Sequence, residues 1–335
     1  MFEAIRIRVG LVRAVVLADS GVVAQPSTDG TAEQMPSIRT GGRFADVRAR
    51  LVRASIAGLL ALIVTFGAHV SDGRAASPPK YVALGDSYTA DPSVSAQAPG
   101  SPSKCERSAK NYPHLGAAAL GLELTDVSCD GADVGDLQRS QLHGVPPQFQ
   151  ALTPATQVVT VGIGGDDGNL FASLLNDCAE ASLHPRQAGG APCGRGGAKL
   201  PRSAAADEPH LSGAYAHIHE LAPGAKVFVV GYPDVFTAHG ACPKVLPFTR
   251  AANAFANSTE KDLNKAVKQA AEANGDVYVD TYSSSVTRNS CASPAVRWIE
   301  PFVTAPNVFP MHPNARGVAG VAGLVEQAMQ ASGIQ

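Results

Sequence analysis

Apolar positions gather in short runs rich in β-branched residues at Tyr81–Leu84, Leu122–Val127, Gln157–Val161, Lys226–Val230 and Asp276–Asp280. Runs of this length, apolar without strict alternation, predict strands buried on both faces, as parallel strands are. Between them the period lengthens. Thr249–Asn274 carries Phe255, Leu263 and Val267 among alanines and charges and stops at Asn274-Gly275, which predicts a long amphipathic helix. A last helix is predicted over Gly317–Met329. Two stretches lack any period. Gly189–His210, rich in Gly, Pro and Ala, reads as a surface loop, and residues 283–311 read as a second long irregular segment of the kind that shapes pockets. Strand–helix alternation predicts a three-layer α/β domain.

Upstream of residue 77 the pattern changes. Arg48, Arg50 and Arg53 precede the apolar run Ile56–Val64, and small residues Gly73, Ala75 and Ala76 lead into Ser77-Pro78-Pro79. A basic segment, a short apolar run and a small-residue exit describe a secretory signal peptide. Met35 stands at a suitable distance upstream, so residues 35–76 are expected to be the signal peptide and residues 1–34 the product of a misassigned start codon. The competing reading is a single-pass anchor. Residues 77–335 are then one mature domain, exported to the medium or the cell wall.

The chain has a net charge of −2, with nine of its 27 basic and six of its 29 acidic residues before residue 77, leaving 18 basic against 23 acidic beyond it. That balance, with no basic stripe, excludes a nucleic-acid partner. All six cysteines follow the expected cleavage region: Cys105, Cys129, Cys178, Cys193, Cys242 and Cys291. An even number in an exported chain implies disulfides. No paired Cys-x-x-Cys knuckle suggests a metal. Of the connectivities open to six cysteines, the sequential pairing Cys105–Cys129, Cys178–Cys193 and Cys242–Cys291 closes the shortest loops and is the one expected.

The chemistry starts at Gly85-Asp86-Ser87, where an apolar strand delivers a serine hydroxyl to its carboxyl end, the edge at which open α/β sheets bind ligands. A serine hydroxyl is inert until a base takes its proton, and His312, in Met311-His312-Pro313-Asn314, offers an imidazole that titrates near neutrality. Between the two lie Asp126–Ala132, Pro146-Pro147-Gln148 and Thr160–Asp167. In this order, and together with Val82–Tyr88 and Gly317, these segments resemble the blocks of the SGNH/GDSL hydrolases, above all the secreted actinobacterial esterases and lipases. The resemblance covers nearly all of residues 80–330. It implies a flavodoxin-like α/β/α fold around a mainly parallel five-stranded sheet. It also implies hydrolysis of a carboxylic ester, small or lipid, through an acyl-enzyme on Ser87 with His312 as base. The oxyanion donors it implies are the backbone N–H groups of Ser87 and Gly131. No cofactor or metal is implied. The chain is expected to be a monomer touching lipid surfaces at most transiently.

Two positions depart from the family pattern. Asp166 stands where the family has an asparagine as third oxyanion donor, and Asp167 follows it. An ionised carboxylate there opposes the developing oxyanion, and losing one good donor costs roughly 10²–10³ in turnover. Three readings compete: Asp166 is protonated, its pKa raised by burial and by Asp167; Asn169 swings in to replace it; or the protein is a weakly active or inactive lipid- or carbohydrate-binding relative. The family often has an acidic residue three positions before the histidine, where this chain has Phe309. The Phe309 carbonyl is expected to orient His312 instead.

The remaining signals read quietly. His217 and His219 are two apart and point apart on a helix, and His143 and His239 have no partner pattern. Trp298 and Phe302 either line a pocket or pack. Gly162–Gly168 is no dinucleotide loop, because Asp167 stands where that fingerprint needs a glycine and two acids would repel a pyrophosphate.

Overall fold

Each of the five apolar runs forms a strand: β1 (Lys80–Gly85), β2 (Glu123–Asp126), β3 (Val158–Gly162), β4 (Lys226–Val230) and β5 (Val277–Val279). The computed structural model describes residues 77–92 and 94–335. The extension expected over 1–34 and the signal peptide expected over 35–76 lie outside the described residues. All four strand pairings are parallel, in the order β2-β1-β3-β4-β5. Alternate residues of one strand feed opposite cores. Val82, Leu84, Val159, Val161, Val227 and Val229 belong to one, and Tyr81, Ala83, Val158, Phe228 and Val230 to the other. This two-sided burial is why the strands read as continuously apolar.

Helices α1 (Ser87–Ala90) and α2 (Tyr112–Leu120) follow the first strand, and α3 (Leu170–Leu183) follows the third. Next come α4 (Gly194–Gly197), α5 (Leu200–Ala206), α6 (Glu208–Leu221), α7 (Arg250–Ala273), α8 (Thr281–Ser285) and α9 (Ala315–Ala331). Helices α2 and α9 cover one face through Leu120, Val321 and Val325; α3, α5, α6 and α7 cover the other through Leu174, Leu211 and Leu263. The boundaries of α7 follow local chemistry. The Thr249 hydroxyl accepts from Ala252 N at 3.1 Å, and the chain leaves the helix at Gly275 with φ 76°.

The segment Gly189–His210 differs from its expected loop character. It folds into α4, α5 and the start of α6. Leu200, Ala204 and Leu211 are buried at roughly helical spacing, and the Cys178–Cys193 disulfide fastens the segment to α3. Small residues let α5 lie close against α7, where Ala252 and Ala256 are fully buried. Close packing of this kind leaves no large-residue period to read. The second irregular stretch behaves as expected, with neither strand nor helix from Val286 to Asn314 apart from an isolated bridge between Ile299 and Pro313.

The chain leaves β1 for one edge of the sheet and returns to build β3 on its other side. The carboxyl ends of β1 and β3, where Gly85 pairs with Gly162, are therefore the switch point at which such sheets open a crevice.

Candidate active site

The end of β1 is shaped by what fits there. Gly85 has φ 151°, and a Cβ on it would meet Thr89 Oγ1 at 2.3 Å and Gly162 O at 2.5 Å, so only glycine serves. Strand β2 has already ended at Asp126, and the buried Gln148 amide joins the following chain beside Gly85: Gly85 N donates to Oε1 at 2.8 Å, and Gly85 O accepts from Nε2 at 2.9 Å and from Cys129 N at 3.0 Å. Asp86 then starts α1 by accepting from Tyr88 N at 2.8 Å. Ser87 is the first residue of that helix and is 5% exposed.

The imidazole arrives from 225 residues downstream. His312 Nε2 lies 2.8 Å from Ser87 Oγ, and the ring is 6% exposed. Pro313 restricts His312 to an extended backbone, and the Asn314 side chain caps α9 by accepting from Arg316 N and Gly317 N. The orienting contact differs from expectation. His312 Nδ1 lies 2.8 Å from the carbonyl of Pro310, not that of Phe309. Met311 adopts a left-handed φ of 61°, which folds the carbonyl two residues back onto the imidazole, and Phe309 sets its ring edge-on to it at 4.8 Å. Burial lowers the His312 pKa to about 4, opposed in part by the Pro310 carbonyl.

Gly131 turns with φ 72° on a loop held from several sides. The buried Arg107 guanidinium donates to Ser128 O at 2.8 and 2.6 Å, the Cys105–Cys129 disulfide ties the same loop to the segment after Pro102, and Gln141 Nε2 donates to Asp130 O at 2.6 Å. Among the described residues no acceptor takes the Ser87 or Gly131 N–H, so both remain available to a substrate oxygen.

Asp166 is half-buried after the turn Gly164-Gly165, and burial raises its pKa to about 7. The carboxylates that add to this rise are Asp133 and Asp136 rather than the expected Asp167. Asp167 has another task. Its Oδ1 accepts from Val134 N at 2.9 Å, joining the loop of Gly131 to that of Asp166, and burial followed by Asp207 lifts its pKa to about 8. Asn169 does not turn toward the nucleophile, since its amide reaches Ser173 Oγ at 3.4 Å on the next turn of its own helix. A cavity of about 270 Å³ opens behind this loop, walled by Gly164, Asp167, Leu170, Ser203, Asp207 and Leu263.

The structure joins Cys105 to Cys129, Cys178 to Cys193 and Cys242 to Cys291. His217 and His219 go to Glu220 and Asp276 at 2.6 and 2.7 Å, away from the serine. Trp298 is buried against the first turns of α9, and Phe302 packs on the neighbouring core, so both pack rather than line the cavity. Among the described residues no group of three or more His, Cys, Asp or Glu side chains is placed to hold a metal ion.

Sequence reasoning gave no role to Gln148, Arg107, Tyr88 or Tyr232. Tyr232, just past β4, accepts from Gly165 N at 2.7 Å and donates to Asp86 Oδ2, so one buried phenol links the serine's helix cap to the Asp166 turn. Its signal was a lone aromatic at a strand's carboxyl end. That of Gln148 was a polar residue after Pro146-Pro147, ahead of a buried strand.

Comparison with known proteins agrees with this geometry. Residues 83–319 match the model of the GDSL-like Lipase/Acylhydrolase family. The chain is 37% identical over 275 residues to Lipase 2 of Streptomyces coelicolor, covering 80% of this chain and 92% of that protein. It is 30% identical over 274 residues to a lipase of Streptomyces rimosus, covering 80% and 93%. Among solved structures, an extracellular lipase from Streptomyces rimosus superposes with a TM-score of 0.60 at 27% identity, covering 75% of this chain and 99% of that one. Phospholipase A1 from Streptomyces albidoflavus does so with a TM-score of 0.59 at 25% identity, covering 76% and 99%. The parallel α/β fold is thus shared with these lipases, and the chain belongs to the GDSL-like lipase/acylhydrolase family as a carboxylic ester hydrolase.

Proposed function

We propose that this protein is an exported lipase or esterase that cleaves carboxylic esters through an acyl-enzyme on Ser87, with His312 as general base and the Pro310 carbonyl as its orienter. The observation that carries the reading is the 2.8 Å contact between His312 Nε2 and Ser87 Oγ, made by two side chains 225 residues apart. With Nδ1–H donated to the carbonyl, Nε2 is the free lone pair and takes the serine proton as Oγ attacks the ester carbon. The imidazolium returns that proton to the departing alcohol. It then takes a proton from a water molecule, which attacks the acyl-enzyme and releases the acid and Ser87.

Negative charge on the substrate oxygen meets the N–H groups of Ser87 and Gly131. Asp166 completes this site as a neutral donor. Burial holds it protonated up to about pH 7, and a carboxylic acid presents the O–H that the family's asparagine presents as N–H. This supports partial to full activity over a silent binding protein, which has no use for a serine and an imidazole in bonding contact. The relatives named lipase, esterase and phospholipase A1 support a lipid or other carboxylic ester as substrate, and the segment 35–76 supports export.

The test is labelling with a fluorophosphonate probe alongside turnover of a chromogenic short-chain ester. Wild type is expected to react with both and Ser87→Ala with neither. Turnover by Ser87→Ala at the wild-type rate, or an unlabelled and inactive wild type from mildly acidic to alkaline pH, overturns the reading.

A further inference from the structure

We propose that Tyr88 is the positioning residue of the base: its hydroxyl tethers the turn carrying His312 to the helix carrying Ser87, and its ring and that of Phe309 keep water off the imidazole. The inference rests on the assignment of Ser87 and His312 above.

The turn needs such a tether. Met311, immediately before the base, is buried with φ 61°, a conformation that a side chain bearing a Cβ keeps only when its surroundings enforce it. From outside, Met311 N donates to Glu300 O at 3.0 Å and Glu300 N donates to His312 O at 2.8 Å. These bonds fix the turn to its neighbouring strand-like segment but not to the nucleophile. Tyr88 supplies that link. Its Oη donates to Met311 O at 2.6 Å, and it is the residue next to Ser87 on α1. One helix thus carries both the nucleophile and the bond that sets where the base stands.

The ring does separate work. Its centroid lies 4.9 Å from that of His312 at a 33° tilt, while the Phe309 ring stands edge-on at 4.8 Å. Phe171 and Tyr232 back the Tyr88 ring at 5.5 and 5.2 Å. An imidazole walled in this way has no water to solvate its cation, and burial is the larger cause of its lowered pKa. Burial first, and then Glu260, Asp86, Asp166 and Asp91, raise the Tyr88 phenol pKa and keep the hydroxyl protonated, and the Glu300 carboxylate is taken by Arg297 at 2.9 Å.

The two tasks separate in the pH dependence of kcat and kcat/KM. Tyr88→Phe keeps the ring and loses the tether: kcat should fall about ten-fold with KM within about two-fold, because the base is displaced rather than the substrate. The acid limb should stay at about 4. Phe309→Ala opens the ring wall, and the acid limb should rise by at least about one unit toward the ordinary histidine value. A titration of the His312 Cε1 proton by NMR reads the same shift without turnover and keeps the test sound should a variant prove inactive. Wild-type kcat in Tyr88→Phe, or an unmoved His312 pKa in Phe309→Ala, overturns the inference. Ser87→Ala separates the two levels. Full activity there removes the assignment itself, while a dead Ser87→Ala beside an unaffected Tyr88→Phe removes only the tether.

Discussion

The two halves of the site receive the same treatment from the protein and respond in opposite ways. On one side His312 lies between aromatic rings, and burial lowers its pKa to about 4. On the other side Asp166 sits among carboxylates, and burial raises its pKa to about 7. Desolvation penalises whichever form carries charge, so it strips the proton from an imidazole and leaves one on a carboxyl. On the proposed assignment, the interval between the two values is where His312 would be ready to accept a proton and Asp166 to donate a hydrogen bond. The aspartate that departs from the family pattern then resembles its asparagine in charge. On that assignment, the comparison teaches that removing water from the site would let the Asp166 carboxylic acid stand in for an amide, with a pH ceiling.

The harshest way to break the comparison is to remove the base side. His312→Ala is expected to lower kcat by about 10⁴-fold or more, measured with a soluble ester, since nucleophile and base act as a unit. The acidic side can be sharpened next. One unit above its pKa of about 7, about nine in ten Asp166 side chains are ionised, so Asp166→Asn should raise kcat/KM about ten-fold at that pH and leave it unchanged in mild acid. An equal or lower rate in the variant at alkaline pH removes Asp166 as the impediment. Gln148→Ala leaves Gly85 N without its acceptor while Cys129 N still donates to Gly85 O, and chemical denaturation should show a loss of about 1–2 kcal/mol. Full stability there means water replaces the amide.

The smallest effect is on melting temperature. Asp166 and Asp167 have folded pKa values above their ordinary one, so the folded state binds more protons than the unfolded. Their stabilising contribution is complete below about pH 4 and is lost as pH rises through about 7–8. Calorimetry should show Tm falling by a few degrees across that interval, less steeply in Asp166→Asn.

Much of this was legible in the residues. The three central strands announced themselves because parallel strands bury both faces, and α7 because Phe255, Leu263 and Val267 share a stripe between a threonine cap and a glycine exit. The approach of Ser87 to His312 was implied by the resemblance to the SGNH/GDSL hydrolases, carried by four blocks in order. The orienting carbonyl was missed by one residue, because the left-handed turn at Met311 is a non-glycine conformation that no sequence pattern marks. The helices within Gly189–His210 were missed because alanine packing and a disulfide replace the large apolar period that betrays a helix. Tyr232 and Gln148 act across 146 and 63 residues on Asp86 and Gly85, distances at which a single chain gives no hint of contact.

The most direct test is the dependence of kcat/KM on pH for the wild-type enzyme. Opposed neutralisation of the two groups predicts a plateau bounded by a rise at about 4, where His312 loses its proton, and a fall at about 7, where Asp166 ionises. A rate that climbs through neutrality with a single inflection near an ordinary histidine value would contradict it.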